Sequence, residues 1–374
     1  MKILHVSKKY PKAIGGDANV VYNLQSHQRN AGHDVTVLTT NCREIIRDRN
    51  IIKSGISDDS ENYDRITFKR LISLLLFFCE SFHVLSEQKP EIIHSHSPEM
   101  GFLISIPARL YHIPVIHTCH GICFNNRNFS FLKRKMELFF LKYGGFQFIT
   151  TVDKNSLPDF RAKDIRNIVY IPNGVDISLF SSADRPVANS VMNYLFVGRL
   201  ERQKGLDVLI DAVIRLKKVN TNFTLTIIGD GSLKEDLIRC ISDHSLESTI
   251  HMMGAVNQDE LIRKYSESDA LILPSRWEGL PLTLLEAWAA GLPVIVSNVG
   301  GLTPLCEDMV NAIVIDPVDP QALCRAMRFL MNNRDLAQRL GSEGNQIVKT
   351  RYAWNSVNKM YENIYRQSIL YETA

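Results

Sequence analysis

Short apolar runs alternate along the whole chain with longer stretches in which apolar positions return every three or four residues. In the first half, the runs Ile3–Ser7, Asp34–Thr39, Glu91–Ser95, Pro114–Thr118, Phe146–Thr150 and Ile168–Ile171 predict strands, with helical spacing between them as at Ala18–Arg29. A second series, Tyr194–Gly198, Thr224–Gly229, Ala270–Leu273, Pro293–Ser297 and Ala312–Ile315, repeats the pattern. Strand and helix in alternation predict parallel sheets covered by helices on both faces, an α/β class. Between the series, Asn173-Gly-Val-Asp176 and the polar stretch SSADRPVANS read as a linker, with the boundary near residues 175–192. The expected domains are therefore 1–180 and 190–353, followed by a segment, 354–374, with Val357, Met360, Tyr361, Ile364 and Tyr365 at helical spacing. That sticky face is expected to pack back on the N-terminal domain.

At 374 residues the chain is long enough for two domains, each with its own core. Apolar residues make up 45% and charged residues 22%, the balance of an ordinary globular protein. The formal net charge of +3 gives no reason to expect a nucleic-acid partner. Seven scattered cysteines, with no CxxC pair, fit a reducing cytoplasm. The start, MKILHVSKKYP, has an apolar run broken by His5 and followed by lysines, so it reads as a first strand and not as an export signal. Leu71–Phe78, the longest greasy run, is shorter than the ~18–20 residues a spanning helix needs, and no bilayer-crossing segment is expected.

Three glycine-bearing or charged loops fall where a strand meets a helix, the edge at which open α/β sheets bind ligands. Gly15-Gly16 follows the first strand and could turn backbone N–H groups toward a phosphate, or simply make a tight turn. The full G-x-G-x-x-G fingerprint is missing, which disfavours a dinucleotide. Gly198-Arg199 through Lys204-Gly205 puts Arg199 and Lys204 on one loop, suited to a diphosphate through the fork of Arg and the point charge of Lys, although solvated surface cations are the bland account. Pro274-Ser-Arg-Trp-Glu-Gly-Leu-Pro-Leu-Thr-Leu-Leu-Glu sets Glu278 before a helix and Glu286 within it, so two carboxylates could meet one long ligand. Helix capping explains such acids equally well.

His94, His96, His117, Cys119, His120 and Cys123 include metal-ligand types, but no zinc spacing appears and hydrogen-bonded histidines are the better reading. Residues 128–143 carry Leu132, Met136, Phe139, Phe140 and Tyr143 on one helical face beside Lys133, Arg134, Lys135 and Lys142. Such a helix suits an anionic membrane surface; core packing is the competing account.

Taken in order, Gly15-Gly16, His94-Ser-His96, Thr118-Cys-His120-Gly121, Ile171-Pro-Asn-Gly-Val-Asp176, Gly198-Arg199 with Lys204-Gly205, Ile228-Gly-Asp-Gly231 and the two glutamates with seven residues between them resemble glycosyltransferase family 4. The resemblance covers most of the chain. It implies the GT-B fold, two Rossmann-like doubly wound domains facing across a cleft, and a retaining hexosyltransferase that needs no metal or other cofactor. It further implies that Arg199 and Lys204 hold the donor diphosphate, that Glu278 holds hydroxyls of the donor sugar, and that Glu286 holds the ribose. Gly16 would approach the diphosphate from the other domain, and His120 would stand beside the donor sugar, making His120 and Glu278 the residues nearest the chemistry. Many relatives have Phe-Gly where this chain has Leu280-Pro281. Pro281 has no N–H, so backbone donation to the phosphates falls to Gly279, Leu282 and Thr283.

The expected partners are a nucleotide-sugar donor and a glycan or lipid-linked acceptor, as in surface polysaccharide, glycolipid or glycoprotein glycan synthesis, at the inner face of the cell membrane. Two alternatives share the two-domain shape. A nucleotide-sugar epimerase would not need this combination of cations and glutamates, and a non-enzymatic sugar-binding protein would carry an export signal.

Overall fold

The computed structural model describes residues 1–10, 16–41, 50–54, 68–126, 129–180 and 191–373. The contacts divide the chain into two units, Met1–Asn173 with Trp354–Ala374, and Gly174–Ala353.

In the first unit, β1 (Lys2–Lys9), β2 (Asp34–Asn41), β3 (Ile51–Lys53), β4 (Ile92–Ser95), β5 (Val115–Cys119), β6 (Phe148–Thr151) and β7 (Ile168–Tyr170) form one parallel sheet in the order β3-β2-β1-β4-β5-β6-β7. Up to Asn173 the described helices longer than one turn are α1 (Gly16–Asn30), α2 (Phe68–Gln88), α3 (Pro98–Leu110), α4 (Phe131–Tyr143) and α5 (Leu157–Arg161). Every residue of β4 and β5 is buried, as a sheet covered on both faces requires. The strand expected from Pro114 begins one residue later, since proline has no N–H to give to the ladder. β3 was not anticipated, because three residues are too few to show a period.

α2 departs from the expectation drawn from its greasy run. Over Leu71–Gln88 its mean hydropathy is 1.2, so by length and composition the helix is long and apolar enough to cross a bilayer. Phe77, Val84 and Leu85 are nonetheless buried in the core with Leu4, Ile93 and Ile104. α2 is a sheet-covering helix whose outer face leaves Phe68, Leu71 and Leu75 exposed.

In the second unit, β8 (Met192–Val197), β9 (Phe223–Ile228), β10 (Ile250–Gly254), β11 (Ala270–Leu273), β12 (Val294–Ser297) and β13 (Ile313–Ile315) form a parallel sheet in the order β10-β9-β8-β11-β12-β13. β10, an edge strand with a half-exposed pattern, was not anticipated. Around the sheet run α6 (Ile177–Phe180), α7 (Leu206–Lys217), α8 (Lys234–Asp243), α9 (Gln258–Glu267), α10 (Leu282–Ala289), α11 (Pro320–Asn332) and α12 (Arg334–Arg351). Their starts follow from local chemistry. Asn257 Oδ1 accepts from Glu260 N–H at 2.9 Å to cap α9, and Asp319 Oδ1 accepts from Ala322 N–H at 2.8 Å to cap α11, where Pro320 occupies the first turn. The linker stretch 181–190 lies outside the described residues.

The last helix, α13 (Trp354–Thr373), belongs to the first unit and packs on α1 and the sheet. Val357, Tyr361, Ile364 and Tyr365 of its apolar face are buried, while Met360 stays exposed. Trp354 stacks on His27 with ring centroids 5.5 Å apart.

Candidate functional site

In each sheet the strand order reverses at one point, between β1 and β4 and between β8 and β11, and such switch points are where open α/β sheets form ligand crevices. The residues singled out by their chemistry gather at the carboxyl ends of these strands.

In the second unit, Arg199 and Lys204 follow β8, while Glu278, Gly279, Leu282, Thr283 and Glu286 follow β11. Lys204 Nζ stands 2.6 Å from Glu278 Oε1, and Ser275 Oγ donates to the same oxygen at 2.7 Å. Both charged side chains are mostly shielded from solvent, so this pair bridges the switch point in a medium where it is little screened. The two loops are laced together further. Gln203 Nε2 donates to Trp277 O at 3.0 Å, Arg276 N–H donates to Gln203 O at 2.8 Å, and the Arg276 guanidinium grips Asp207 through two bonds of 2.8 and 2.6 Å. Gly205 permits this closeness. Its φ is +68°, and a Cβ there would fall 2.0 Å from Pro274 O. Arg199 stays exposed, donating to Gln203 Oε1 at 3.3 Å.

Pro281 is the N-cap of α10, at φ −72°. The Thr283 hydroxyl at the start of that helix is buried and has no hydrogen-bond partner among the described residues. An orphaned buried hydroxyl is costly, and a ligand that meets it recovers that cost. Glu286 accepts from Tyr265 Oη–H at 2.8 Å. Although Glu286 keeps some solvent contact, the surrounding protein pushes its carboxyl up to about 7 by desolvation, with the Tyr265 bond opposing.

The sequence reading missed the loop after β12. Gly301 N–H donates to Glu278 O at 3.0 Å, and a Cβ on Gly301 would lie 2.0 Å from Gly279 O. The signal was there, a glycine pair just beyond the apolar run ending at Ser297.

In the first unit, α1 begins at Gly16; Gly15 lies outside the described residues. His5 and His94 are register partners on β1 and β4, and His96 and His120 follow β4 and β5. His5 Nε2 meets Gln28 Oε1 at 2.7 Å and His5 Nδ1 meets His96 Nε2 at 2.9 Å. His96 Nδ1 in turn meets His120 Nε2 at 3.1 Å. His94 Nδ1 meets Tyr365 Oη at 2.7 Å and His94 Nε2 meets Thr118 Oγ1 at 2.6 Å. His5, not anticipated as a functional residue, is thus central to the cluster; its signal was a histidine inside an otherwise apolar strand.

Burial dominates the protonation of these rings. It pulls His5 down to about 4 and His117 to about 3, and holds His94 and His96 well below the usual histidine range. His5, His94 and His96 stand close enough to share a metal ion, yet all six of their ring nitrogens are already committed to hydrogen bonds. His117 instead meets Ser95 Oγ at 3.3 Å and stacks on Phe146. Burial raises the Cys119 thiol and pushes that of Cys123 up to about 12, so neither offers a thiolate near neutrality.

The basic helix is resolved as α4, and residue 128 lies outside the described residues. Leu141 is its one buried residue, whereas Phe131, Leu132, Phe139 and Tyr143 are exposed. Its apolar stripe is therefore only partly packed, with Phe139 and Phe140 against Phe102 of α3 and with Leu132 and Tyr143 open to solvent. Glu137 accepts from Cys123 N–H and Phe124 N–H, both at 2.7 Å, and desolvation pushes its carboxyl up to about 7.

The two halves match two family models: residues 14–179 match "Glycosyltransferase Family 4" and residues 187–347 match "Glycosyl transferases group 1". Over 69% of both chains, the protein is 31% identical to a UDP-Gal:alpha-D-GlcNAc-diphosphoundecaprenol alpha-1,3-galactosyltransferase of Escherichia coli. The chain belongs to the GT-B glycosyltransferases. A glycogen synthase of Mycobacterium tuberculosis is 25% identical, with 98% of this chain and 94% of that one covered. Among solved structures, Anabaena HepE in complex with UDP-glucose superposes with a TM-score of 0.82 at 15% identity, covering 98% of this chain and 100% of that one. The glycosyltransferase is thus α/β, with a Rossmann-like sheet in each unit.

Proposed function

We propose that this glycosyltransferase is a retaining hexosyltransferase that moves a sugar from a nucleoside-diphosphate donor to a glycan or lipid-linked acceptor in surface polysaccharide, glycolipid or glycoprotein glycan assembly. The observation that carries the donor reading is the Lys204–Glu278 pair at the β8/β11 switch point, flanked by exposed Arg199 and the orphaned Thr283 hydroxyl. Arg199 and Lys204 supply positive charge for a diphosphate, and Thr283 with the N–H groups of Gly279 and Leu282 supplies donors at a helix start. Glu278 accepts from hydroxyls of the donor sugar, and Glu286 from the ribose. Pro281 contributes none of these bonds.

The chemistry asks the protein to stabilise an oxocarbenium-like centre and the growing charge of the leaving diphosphate. Preorganised cations and backbone dipoles meet that demand, without a metal. His120 serves the donor sugar and Gly16 the diphosphate. The E. coli relative's acceptor, a diphosphoundecaprenol-linked sugar, supports a lipid-linked acceptor here. So does α4, whose exposed aromatic and aliphatic residues lie among Lys133, Arg134, Lys135 and Lys142 and suit an anionic leaflet.

A thermal-shift screen of the purified chain against UDP, GDP and ADP sugars and their nucleotides, with chelator present, tests the donor reading. A ligand that binds the native state raises its melting temperature. A selective shift for one nucleotide sugar is the expected result; no shift, together with no binding by calorimetry, overturns it.

A further inference from the structure

The hydrogen bonds of the histidine cluster have a direction, and a single amide sets it. Gln28 Oε1 faces His5 Nε2 at 2.7 Å, while Gln28 Nε2 donates to Tyr365 Oη at 3.0 Å. An amide oxygen only accepts, so the hydrogen of the first bond sits on His5 Nε2. A neutral imidazole carries one N–H, which leaves His5 Nδ1 bare to accept from His96 Nε2–H. His96 Nδ1 is then bare in its turn and accepts from His120 Nε2–H.

The second branch leaves the same amide. Tyr365 Oη accepts from Gln28 and passes its own hydrogen to His94 Nδ1. His94 Nε2–H donates to Thr118 Oγ1, which also shares hydrogen bonds with Thr150 Oγ1 at 2.6 Å and Tyr361 Oη at 3.3 Å. All four histidines therefore carry hydrogen on Nε2. Both branches share Gln28, so they reverse together or not at all, and coupling of this kind strengthens each bond. Burial supports the scheme: Gln28, His5, His94 and Tyr365 are inaccessible to solvent, and a ring protonated there would present two donors and break the line.

We infer that the Gln28 amide, acting through His5 and His96, holds His120 in the tautomer with hydrogen on Nε2 and a lone pair on Nδ1. Gln28, His5 and His96 are then positioning residues, and α13, through Tyr365, is part of the device that orients them. A bare Nδ1 accepts from a sugar hydroxyl; an Nδ1–H would only donate. This last step rests on the reading that His120 serves the donor sugar, whereas the tautomer does not.

Two-bond 15N–1H correlation spectra of the full chain labelled at histidine, recorded at neutral pH, read each tautomer directly. His120→Gln assigns the His120 signals. The expected spectrum shows His120 with hydrogen on Nε2, and Gln28→Met, which keeps the volume and removes the acceptor, turns it into a mixture of tautomers. A wild-type His120 bearing hydrogen on Nδ1, or a His120 signal unmoved in Gln28→Met, overturns the inference. The wild-type spectrum decides even where the variant does not fold. In transfer assays Gln28→Met is expected to lower kcat at least roughly tenfold while the donor KM stays within about twofold. A shifted tautomer with unchanged kcat leaves the relay standing and removes His120 from the transfer chemistry.

Discussion

Lys204 Nζ and Glu278 Oε1 lie 2.6 Å apart although 74 residues separate them in the chain, and their contact joins the loops on either side of the strand-order reversal. Ser275 fills a further position on the same carboxylate oxygen. A sugar nucleotide whose hydroxyls donate to Glu278 and whose phosphates take charge from Lys204 would meet an ion pair already held in place.

Replacing Glu278 with Gln keeps the shape and removes the charge. Binding of a sugar nucleotide is expected to weaken by roughly 10–100-fold, the worth of hydrogen bonds to a charged group, with a smaller loss for the nucleotide alone. Isothermal titration with both ligands measures the difference; equal losses remove Glu278 from the sugar.

Arg199→Ala and Lys204→Ala are each expected to weaken nucleoside diphosphate binding by roughly tenfold or more while leaving nucleoside binding within about threefold. Lys204→Ala also leaves the Glu278 carboxylate buried without its cation, so its melting temperature falls while that of Arg199→Ala, an exposed site, does not. Differential scanning calorimetry separates the two.

Glu286 is expected to make stability and binding depend on pH in opposite directions. Its carboxyl is raised from 4.5 to about 7 in the folded chain, so the folded state holds a proton that the unfolded state has released. The contribution to stability is full below 4.5 and is lost as pH rises through about 7. Urea unfolding across that range is expected to show a decline that Glu286→Gln removes. Nucleotide affinity, if the ionised carboxylate receives the ribose hydroxyls, rises through the same interval in the wild type and stays flat in the variant.

For α4, substituting Lys133, Lys135 and Lys142 together with Ala is expected to weaken binding to vesicles rich in anionic lipid by roughly 100-fold, at about 1 kcal/mol per cation. Affinity for neutral vesicles should hardly move. Co-sedimentation reads both, and an anionic-vesicle affinity equal to that of the wild type removes α4 from the membrane.

Much of the architecture was legible in the chain. Alternating apolar runs and helical periods marked eleven strands within a residue or two of their observed places, because buried parallel strands must be apolar throughout and their helices need one apolar stripe. β3 and β10 escaped because short or half-exposed strands carry too little pattern. The composition of the loops named Arg199, Lys204, Glu278 and Glu286 as residues able to meet a diphosphate sugar, and the order of motifs pointed to a GT-B glycosyltransferase.

Other relationships arose only in three dimensions. The sequence did not say that Lys204 pairs with Glu278, that Gly301 closes on Gly279, or that Phe131, Leu132, Phe139 and Tyr143 of α4 stay exposed, since each depends on which elements become neighbours and which face they leave uncovered. His5 was an interruption in an apolar strand until parallel register set it beside His94 and helix packing brought Gln28 and Tyr365 to the same rings. Residue type determined what each side chain could donate or accept. The tertiary structure decided its partner, because burial makes an unpaired polar group costly and only the packed fold limits the choice.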